Sequence, residues 1–282
     1  MHQKFNAQPW EVSSGLAGYC WEVENPSALI LLQHGYGEYA CRYYYSHGGL
    51  IPKLQSLNYS VYAFDLRGHG GSIGARGQTD VCQAALDHIT ARKILETKKP
   101  PLLLIGHSLG GLVTATSAAQ LAGGVAGIVL LSPAIQKQTT VINNKILMFL
   151  ARLFSCIPVS PLSPLEGLSR KKEVIERFAS DPHAFIKKVS GLLGGTALIA
   201  SNVCWERAFH WHAPTFLAHG LEDVYTSPQI SSELIHLIAA EQKIIWKIPE
   251  ARHELLNDLC ADDLLKRISN WMIDTLQDRA KE

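Results

Sequence analysis

Several features that mark specialised proteins are missing from this sequence of 282 residues. It contains no run approaching the ~18 consecutive apolar residues that span a bilayer. Its 26 basic and 25 acidic residues leave a net charge of only +1. Because a balanced charge gives no general attraction to nucleic acid, we expect no nucleic-acid partner. The sequence also lacks internal repeats and low-complexity segments.

Cysteine is present but is not arranged for a dedicated site. The six cysteines stand far apart and include no C-x-x-C pair, which favours neither a zinc site nor a redox dithiol. A disulfide framework is not expected in a chain that is long enough to build its own core. The first twenty residues contain no continuous apolar stretch of the kind found in a signal peptide. We therefore expect a reduced, cytoplasmic protein.

What is present is the pattern of an α/β protein. Short apolar runs typical of buried strands alternate with helix-like segments. This alternation predicts a mostly parallel sheet that is flanked by helices on both faces. In the segment after Thr79, the spacing of Cys82, Ala85, Leu86 and Ile89 predicts the buried face of a helix. The strand-like runs are Ala28–Gln33, Tyr59–Phe64, Leu102–Gly106, Val125–Leu131, Thr215–His219 and Lys243–Ile248.

The alternation stops after Pro133 and resumes near residue 212. Residues 134–211 carry helical apolar clusters and no clear strand, so we expect a helical cap inserted into a core formed by residues 1–133 and 212–282. Within the insertion, Ile146–Leu150 followed by Leu153 and Phe154 is too apolar for an ordinary solvated helix. It packs onto the core, or it forms a lid that lines an acyl-chain pocket or touches lipid. We retain both interpretations.

The most informative motif is the pentapeptide Gly106–Gly110, which reads G-H-S-L-G. An apolar strand precedes it and a helix-like segment follows it, as in a nucleophile elbow. In such a turn the serine hydroxyl is lifted clear of the sheet at the amino end of a helix, where negative charge is stabilised. The motif predicts Ser108 as a nucleophile.

A serine nucleophile needs a base, and the base needs an orienting acid. Asp223 follows the strand at Thr215–His219, and His253 follows the strand at Lys243–Ile248. The chain order serine, acid, histidine is the one used with an elbow of this kind. Glu222 competes with its neighbour for the role of acid, and we favour Asp223 because of its shorter side chain.

Three other histidines are alternatives to His253 as the base or as residues that line the site. His107 adjoins the nucleophile and is expected to pack beside the elbow, without acting as the base. His210 and His212 lie near the end of the insertion, where either could line a site, although a solvent-facing position is the simpler interpretation.

Two backbone N–H groups are needed to bind an oxyanion. One is expected from Leu109, the residue after the nucleophile. The other is expected from Tyr36 in the glycine-containing loop His34–Glu38, because glycine lets the backbone approach a substrate closely. A further glycine-containing loop, Asp65–Ser72, lacks the lysine of a phosphate-binding loop. We expect it to shape the site, and we expect neither a cofactor nor a metal.

Together these motifs resemble the α/β-hydrolase superfamily over nearly the whole chain. Within it, the sequence is most similar to the monoacylglycerol lipase and lysophospholipase group, also described as serine aminopeptidase S33-like. The motifs that carry the resemblance are HGYGE at 34–38, DLRGHGGS at 65–72, GHSLGG at 106–111, GLED at 220–223 and ARHELL at 251–256.

The resemblance implies a triad of Ser108, Asp223 and His253, with Tyr36 and Leu109 as oxyanion donors. It implies hydrolysis of a carboxylic ester through an acyl-enzyme, with a single-acyl lipid as the favoured substrate and peripheral membrane contact through the cap. A small-ester carboxylesterase, an amidase or peptidase, an acyltransferase and a non-catalytic binding protein of the same fold remain alternatives. An epoxide or haloalkane hydrolase is disfavoured because its elbow would carry aspartate at position 108.

Overall fold

A computed structural model describes residues 6–139, 143–160, 164–185 and 187–281. Some expectations from the sequence fall partly on the other residues. The first twenty residues, in which no signal peptide is expected, include residues 1–5. The expected cap includes residues 140–142, 161–163 and 186. Those residues lie outside the described part of the chain.

Strands and helices alternate through the first half of the chain. The strands are β1 (Gln8–Trp10), β2 (Gly18–Trp21), β3 (Ala28–Gln33), β4 (Tyr59–Phe64), β5 (Leu102–His107), β6 (Gly127–Leu131), β7 (Pro158–Ser160), β8 (Val189–Ser190), β9 (Thr215–Gly220) and β10 (Lys243–Ile248). The α-helices are α1 (Leu50–Ser56), α2 (Val81–Glu96), α3 (Leu109–Gln120), α4 (Asn144–Leu153), α5 (Lys172–Ser180), α6 (Gly191–Glu206), α7 (Pro228–Leu237) and α8 (Ala261–Arg279). Short 3-10 helices occupy Ala40–Tyr44, His47–Gly49, Leu165–Gly167, Ala208–His210 and Leu255–Asn257.

In the described ranges, eight strands form one sheet in the order β1-β2-β4-β3-β5-β6-β9-β10. The pairs β1–β2 and β2–β4 are antiparallel, and every other pair is parallel. The predicted mostly parallel sheet is therefore confirmed. The six predicted strands are all present, with ends that differ from prediction by no more than two residues. The short antiparallel strands β1 and β2 were not predicted.

Helices cover both faces of the sheet. On one face, α1 and α8 contribute Ile51, Leu264 and Met272 to a buried apolar cluster. On the other face, α2, α3, α6 and α7 contribute to a second cluster that includes Leu112 and Leu234. Since β3, β4, β5, β6 and β9 are buried along their whole length between these layers, the carboxyl ends of the central strands are held rigidly.

The predicted buried face of α2 is correct at Ala85, which is fully buried, but Cys82 and Ile89 are only partly buried. Leu86 is 51% exposed, and the buried face carries small and polar side chains, among them Ala84, His88 and Arg92. Arg92 is tolerated there because it donates hydrogen bonds to the carbonyls of Ser117, Leu121 and Gly123. The spacing of apolar residues alone cannot predict a buried arginine whose guanidinium is hydrogen-bonded to backbone carbonyls.

The described residues of the insertion between β6 and β9 include the α-helices α4, α5 and α6 and, against the expectation, a pair of strands. β7 and β8 are antiparallel, and they are too short to give a sequence signal. α6 packs onto the core, since Thr196 accepts a hydrogen bond from the backbone N–H of Val81 at 3.0 Å and Cys204 is fully buried. Part of the insertion therefore belongs to the helical layer on the sheet.

Candidate active site

The predicted nucleophile sits on a strained turn. β5 ends at His107 and α3 begins at Leu109, which leaves Ser108 between them with φ 53° and ψ −119°. A side chain at Gly110 would stand 2.2 Å from the carbonyl oxygen of Gln33, so only glycine lets α3 pack this closely against β3. The turn is fixed by a 2.9 Å hydrogen bond from the Ser108 N–H to the carbonyl of Leu131. Strain at one residue is maintained because the surrounding sheet determines its position.

The structure brings Ser108, His253 and Asp223 together. His253 Nε2 lies 2.8 Å from Ser108 Oγ, and its Nδ1 lies 2.7 Å from Asp223 Oδ2. Glu222, the alternative acid, points outward and pairs with Arg170 at 2.5 Å. The contacts are those of a nucleophile, a base and an orienting acid.

Asp223 is buried and heavily hydrogen-bonded. Its Oδ1 accepts from the backbone N–H groups of Tyr225 and Thr226 at 2.8 and 3.0 Å. Its Oδ2 accepts from the Thr226 hydroxyl at 2.7 Å and lies 3.1 Å from His219 Nε2. Burial alone would raise the pKa of Asp223, but His253 and the hydrogen bonds to both histidines lower it strongly. The carboxylate is therefore ionised near neutral pH, and it is fixed in position.

The pKa of His253 is displaced in the opposite direction. Burial lowers it, but the charge of Asp223 and the hydrogen bond to it outweigh burial, so the pKa of His253 is raised above 6.5. Sequence analysis did not identify His219 or Thr226 as partners of the acid. The available signal was their position, four residues before and three residues after Asp223.

The loop expected to bind the oxyanion lies directly above the nucleophile. A side chain at Gly35 would stand 3.0 Å from Ser108 Cβ, so the approach requires glycine. The loop is held at the Gly37 N–H by His69 Nε2 at 3.1 Å. His34 Nε2 in turn accepts from the backbone N–H of Leu66 at 2.9 Å. The Asp65–Ser72 loop thus shapes this part of the site, in keeping with the expectation.

Leu109 is the first residue of α3, so its backbone N–H has no acceptor within the helix. Leu109 and Tyr36 both line the cavity that contains Ser108 and His253. The hydroxyl of Tyr36 is not available to bind an oxyanion, because it donates a hydrogen bond to the Gly77 carbonyl at 3.2 Å.

The other three histidines lie where the sequence predicts them. His107 Nδ1 lies 3.0 Å from Glu38 Oε1 and 3.0 Å from the Tyr43 hydroxyl, so it packs beside the elbow. His210 and His212 are exposed.

A cavity of about 640 Å³ opens above Ser108. That volume is typical of a small-molecule site. Ser108 and His253 lie at its floor, and its walls are mostly apolar. The apolar side chains come chiefly from the insertion and include Leu147, Leu150, Ala151, Phe154, Val159, Leu165, Leu168, Phe178, Phe185, Val189, Leu193, Ala197 and Leu198.

One group of side chains near the site has the spacing of metal ligands. The ligand atoms of Glu38, His47 and His107 lie within 4.8 Å of one another. Glu38 already accepts from Gly35 N–H and from the Arg42 guanidinium, both at 2.7 Å. A bound cation would face that buried guanidinium, so the group fits a metal ion poorly.

A serine on a strand-to-helix turn of a mostly parallel sheet, with histidine and aspartate on the loops after later strands, defines the α/β-hydrolase class. The family model described as serine aminopeptidase, S33, matches residues 24–260. The chain belongs to this family, and the predicted family and fold class are confirmed.

The similarity between this chain and several known proteins extends over most of the length of each. Monoglyceride lipase of Homo sapiens is 32% identical over 261 residues, which are 88% of this chain and 82% of that protein. Phospholipase YtpA of Bacillus subtilis (strain 168) is 34% identical over 257 residues, covering 88% and 96%. The crystal structure of Paleococcus ferrophilus monoacylglycerol lipase superposes with a TM-score of 0.80 at 29% identity, covering 92% of this chain and 99% of that one.

Proposed function

We propose that the protein hydrolyses the carboxylic ester of a single-chain lipid, either a monoacylglycerol or a lysophospholipid, through an acyl-enzyme on Ser108. The observation that carries the proposal is the 2.8 Å contact between Ser108 Oγ and His253 Nε2 at the floor of an apolar cavity. The names of the relatives, monoglyceride lipase and phospholipase, support the choice of a lipid ester.

In the first half of the reaction, Ser108 Oγ attacks the ester carbonyl carbon while His253 Nε2 accepts the hydroxyl proton. The carbonyl oxygen becomes an oxyanion, which the backbone N–H groups of Tyr36 and Leu109 stabilise. His253 then donates its proton to the leaving alcohol as the ester C–O bond breaks. Asp223 holds the imidazole and stabilises its charged form.

In the second half, water attacks the acyl-enzyme. His253 accepts a proton from the water and returns it to Ser108 as the fatty acid leaves. The apolar walls hold the acyl chain, whose burial contributes roughly 0.8 kcal/mol for each methylene group.

The test is a series of monoacylglycerols and lysophospholipids of increasing acyl length, assayed for fatty-acid release. We expect kcat/KM to rise with chain length up to the capacity of the cavity, and Ser108→Ala to abolish release. A rate that peaks at acetate would contradict the lipid assignment and leave a small-ester carboxylesterase. Faster cleavage of matched amides, or transfer of the acyl group to an added alcohol in preference to water, would indicate the peptidase or acyltransferase alternative.

We propose that residues 134–211 form a cap over the site and that the cap contacts lipid surfaces. Along α4, Leu147 and Leu150 line the cavity. Ile146, Phe149 and Leu153 on the same helix are 56%, 64% and 61% exposed. A helix that is apolar on both sides fits a lid whose outer face enters the headgroup region, where a lipid can pass into the cavity. No helix in the described ranges is long and apolar enough to cross a membrane.

The membrane contact is tested by co-sedimentation with anionic lipid vesicles. Phe149→Ser is expected to weaken vesicle binding without changing hydrolysis of a soluble short-chain ester. Leu237→Ser, which removes a comparably exposed leucine from α7, serves as the matched control. Equal vesicle binding by both variants would contradict the contact. We place the protein in the cytoplasm, a proposal supported by six cysteines that are all free thiols.

A further inference from the structure

At the wall of the cavity lies a buried group of charged side chains that the reaction described above does not use. Arg42 Nη1 donates to Glu38 Oε2 at 2.7 Å and to Glu254 Oε1 at 2.8 Å. A second nitrogen of Arg42, Nη2, donates to Glu254 Oε2 at 3.2 Å. The three side chains are each 3% exposed or less. We call Glu38, Arg42 and Glu254 the ion network.

The ion network joins three of the four chain segments that carry the proposed catalytic groups, namely those of Tyr36, Ser108 and His253. Glu38 Oε1 accepts from the Gly35 N–H at 2.7 Å, which fixes the loop of Tyr36. The same oxygen lies 3.0 Å from Nδ1 of His107, the residue before Ser108. Glu254 directly follows His253 in the chain. One guanidinium therefore ties the loop of the base to the loop of the oxyanion donor and, through Glu38, to the elbow.

The loop around Glu254 has a second link to this part of the core, because Asn257 Oδ1 accepts hydrogen bonds from the Ser46 hydroxyl at 3.0 Å and from the His47 N–H. The N–H of His253 donates to Gly167 at 3.3 Å and that of Glu254 to Leu168 at 2.8 Å, both within the insertion. Asn257 Nδ2 donates to Glu254 Oε2 within the same turn of chain. The pairing with Arg42 is thus the contact that joins Glu254 directly to Glu38 of the oxyanion loop, whereas Asn257 binds the segment that follows Arg42. The ring of Phe178 covers Arg42 at 4.8 Å and shields the network from water.

The ion network also sets the charge around His253. His253 faces Asp223, Glu254, Glu38, His107 and the phenol of Tyr225. After burial and the dominant effect of Asp223, Glu254 and Glu38 add to the rise in the pKa of His253. Burial lowers the pKa of the neighbouring His47 to about 3, so His47 is neutral and does not offset the two carboxylates.

We propose that Glu254, acting through Arg42, is a positioning residue for the hydrolytic reaction, holding His253 in register with Ser108 and the oxyanion donors. The inference rests on the proposed function. Misplacement of a catalytic group by a fraction of an ångström lowers the rate of chemistry more than it lowers binding. The effect of losing Glu254 should therefore fall on kcat and not on KM.

The first variant is Glu254→Gln, which keeps the size of the side chain and leaves Glu38 and Arg42 as a neutral pair. We expect kcat for a soluble ester to fall roughly 10-fold to 100-fold, with KM within about twofold of wild type. Because one carboxylate near His253 is lost, the acid limb of the kcat/KM profile should move to lower pH. A side chain that only stabilises the fold would lower the melting temperature and leave kcat on the pH plateau within about twofold of wild type.

Two further variants separate charge from geometry. Glu250→Gln removes an exposed charge from the same loop and is expected to match wild type in kcat and in pH profile. Arg42→Lys keeps the positive charge but loses the planar fork that reaches both carboxylates. It should lower kcat while leaving the acid limb close to that of wild type.

Wild-type kcat and an unmoved acid limb in folded Glu254→Gln would overturn the inference. Should that variant fail to fold, wild-type kcat in Arg42→Lys would overturn it, and a reduced kcat at unchanged KM would support it. If the wild-type protein does not cleave esters, the proposed function itself is contradicted and this inference with it. If wild type is active and the variants equal it, only the positioning role is wrong.

Discussion

Asp223 shows how individual residues set the chemistry of the site. Two backbone N–H groups and the Thr226 hydroxyl donate to it, so its carboxylate has one orientation and presents Oδ2 to His253. Hydrogen bonds of this kind stabilise the charged form and exclude a protonated acid near neutral pH. In the proposed mechanism, Asp223 therefore selects the tautomer of His253 in which Nε2 can accept the proton of Ser108.

Asp223→Asn is expected to lower kcat by roughly 10³-fold to 10⁴-fold, because an amide in place of the carboxylate favours the wrong imidazole tautomer. The measurement is steady-state hydrolysis of a soluble ester. Glu222→Gln is the matched control, since this neighbouring carboxylate is exposed and faces Arg170. If the two variants lose activity equally, the assignment of the acid is incorrect.

The pH dependence of activity follows from the raised pKa of His253. The residue acts as a base only when it is neutral, so activity is present above its pKa and is lost as pH falls through it. Since the pKa is raised, the acid limb of kcat/KM should have its midpoint above the ordinary histidine value of 6.5. A midpoint clearly below that value would show that burial outweighs Asp223.

Among the elements, the pair α4 and α6 determines the shape of the cavity. A side chain at Gly195 on α6 would stand 2.6 Å from Ala151 Cβ on α4, whereas one at Gly194 would stand 3.2 Å from a methyl group of Val159. Ala151 is buried and Val159 is exposed. The first contact cannot relax without moving a helix, while the second relaxes by rotation of one side chain.

Gly195→Ala is therefore expected to lower the free energy of unfolding by about 1–3 kcal/mol through overpacking. Gly194→Ala is expected to raise it by roughly 0.5–1 kcal/mol, because alanine favours the helix more than glycine does. Urea denaturation of the two proteins measures the difference. A Gly195→Ala variant more stable than Gly194→Ala would mean that α4 does not pack on α6 at this distance.

For the molecule as a whole, the sequence predicted the buried parallel strands of the central sheet but not the short antiparallel strands. The buried strands were found because their apolar runs are continuous. β1 and β2 were missed because Gln8–Trp10 is largely exposed and the two strands are only three and four residues long. The antiparallel strands β7 and β8 are shorter than any pattern that periodicity can detect. The predicted ester-hydrolase class agrees with the names of the relatives.

The local motifs indicated Ser108, Asp223 and His253, because each follows a recognisable strand. The ion network could not be found in the same way. Glu38 and Glu254 both lie in motifs that the sequence analysis quoted, but their shared partner Arg42 is 212 positions from Glu254. Pairing across that separation is decided by the packed sheet and not by local spacing.

The central claim, that Ser108 is the nucleophile of an acyl-enzyme, is tested most directly by labelling with a fluorophosphonate followed by mass spectrometry. We predict one probe adduct per chain, located on the peptide that contains Ser108, absent in Ser108→Ala and formed much more slowly in His253→Ala. An unlabelled wild-type protein, or an adduct that persists in Ser108→Ala, would contradict it.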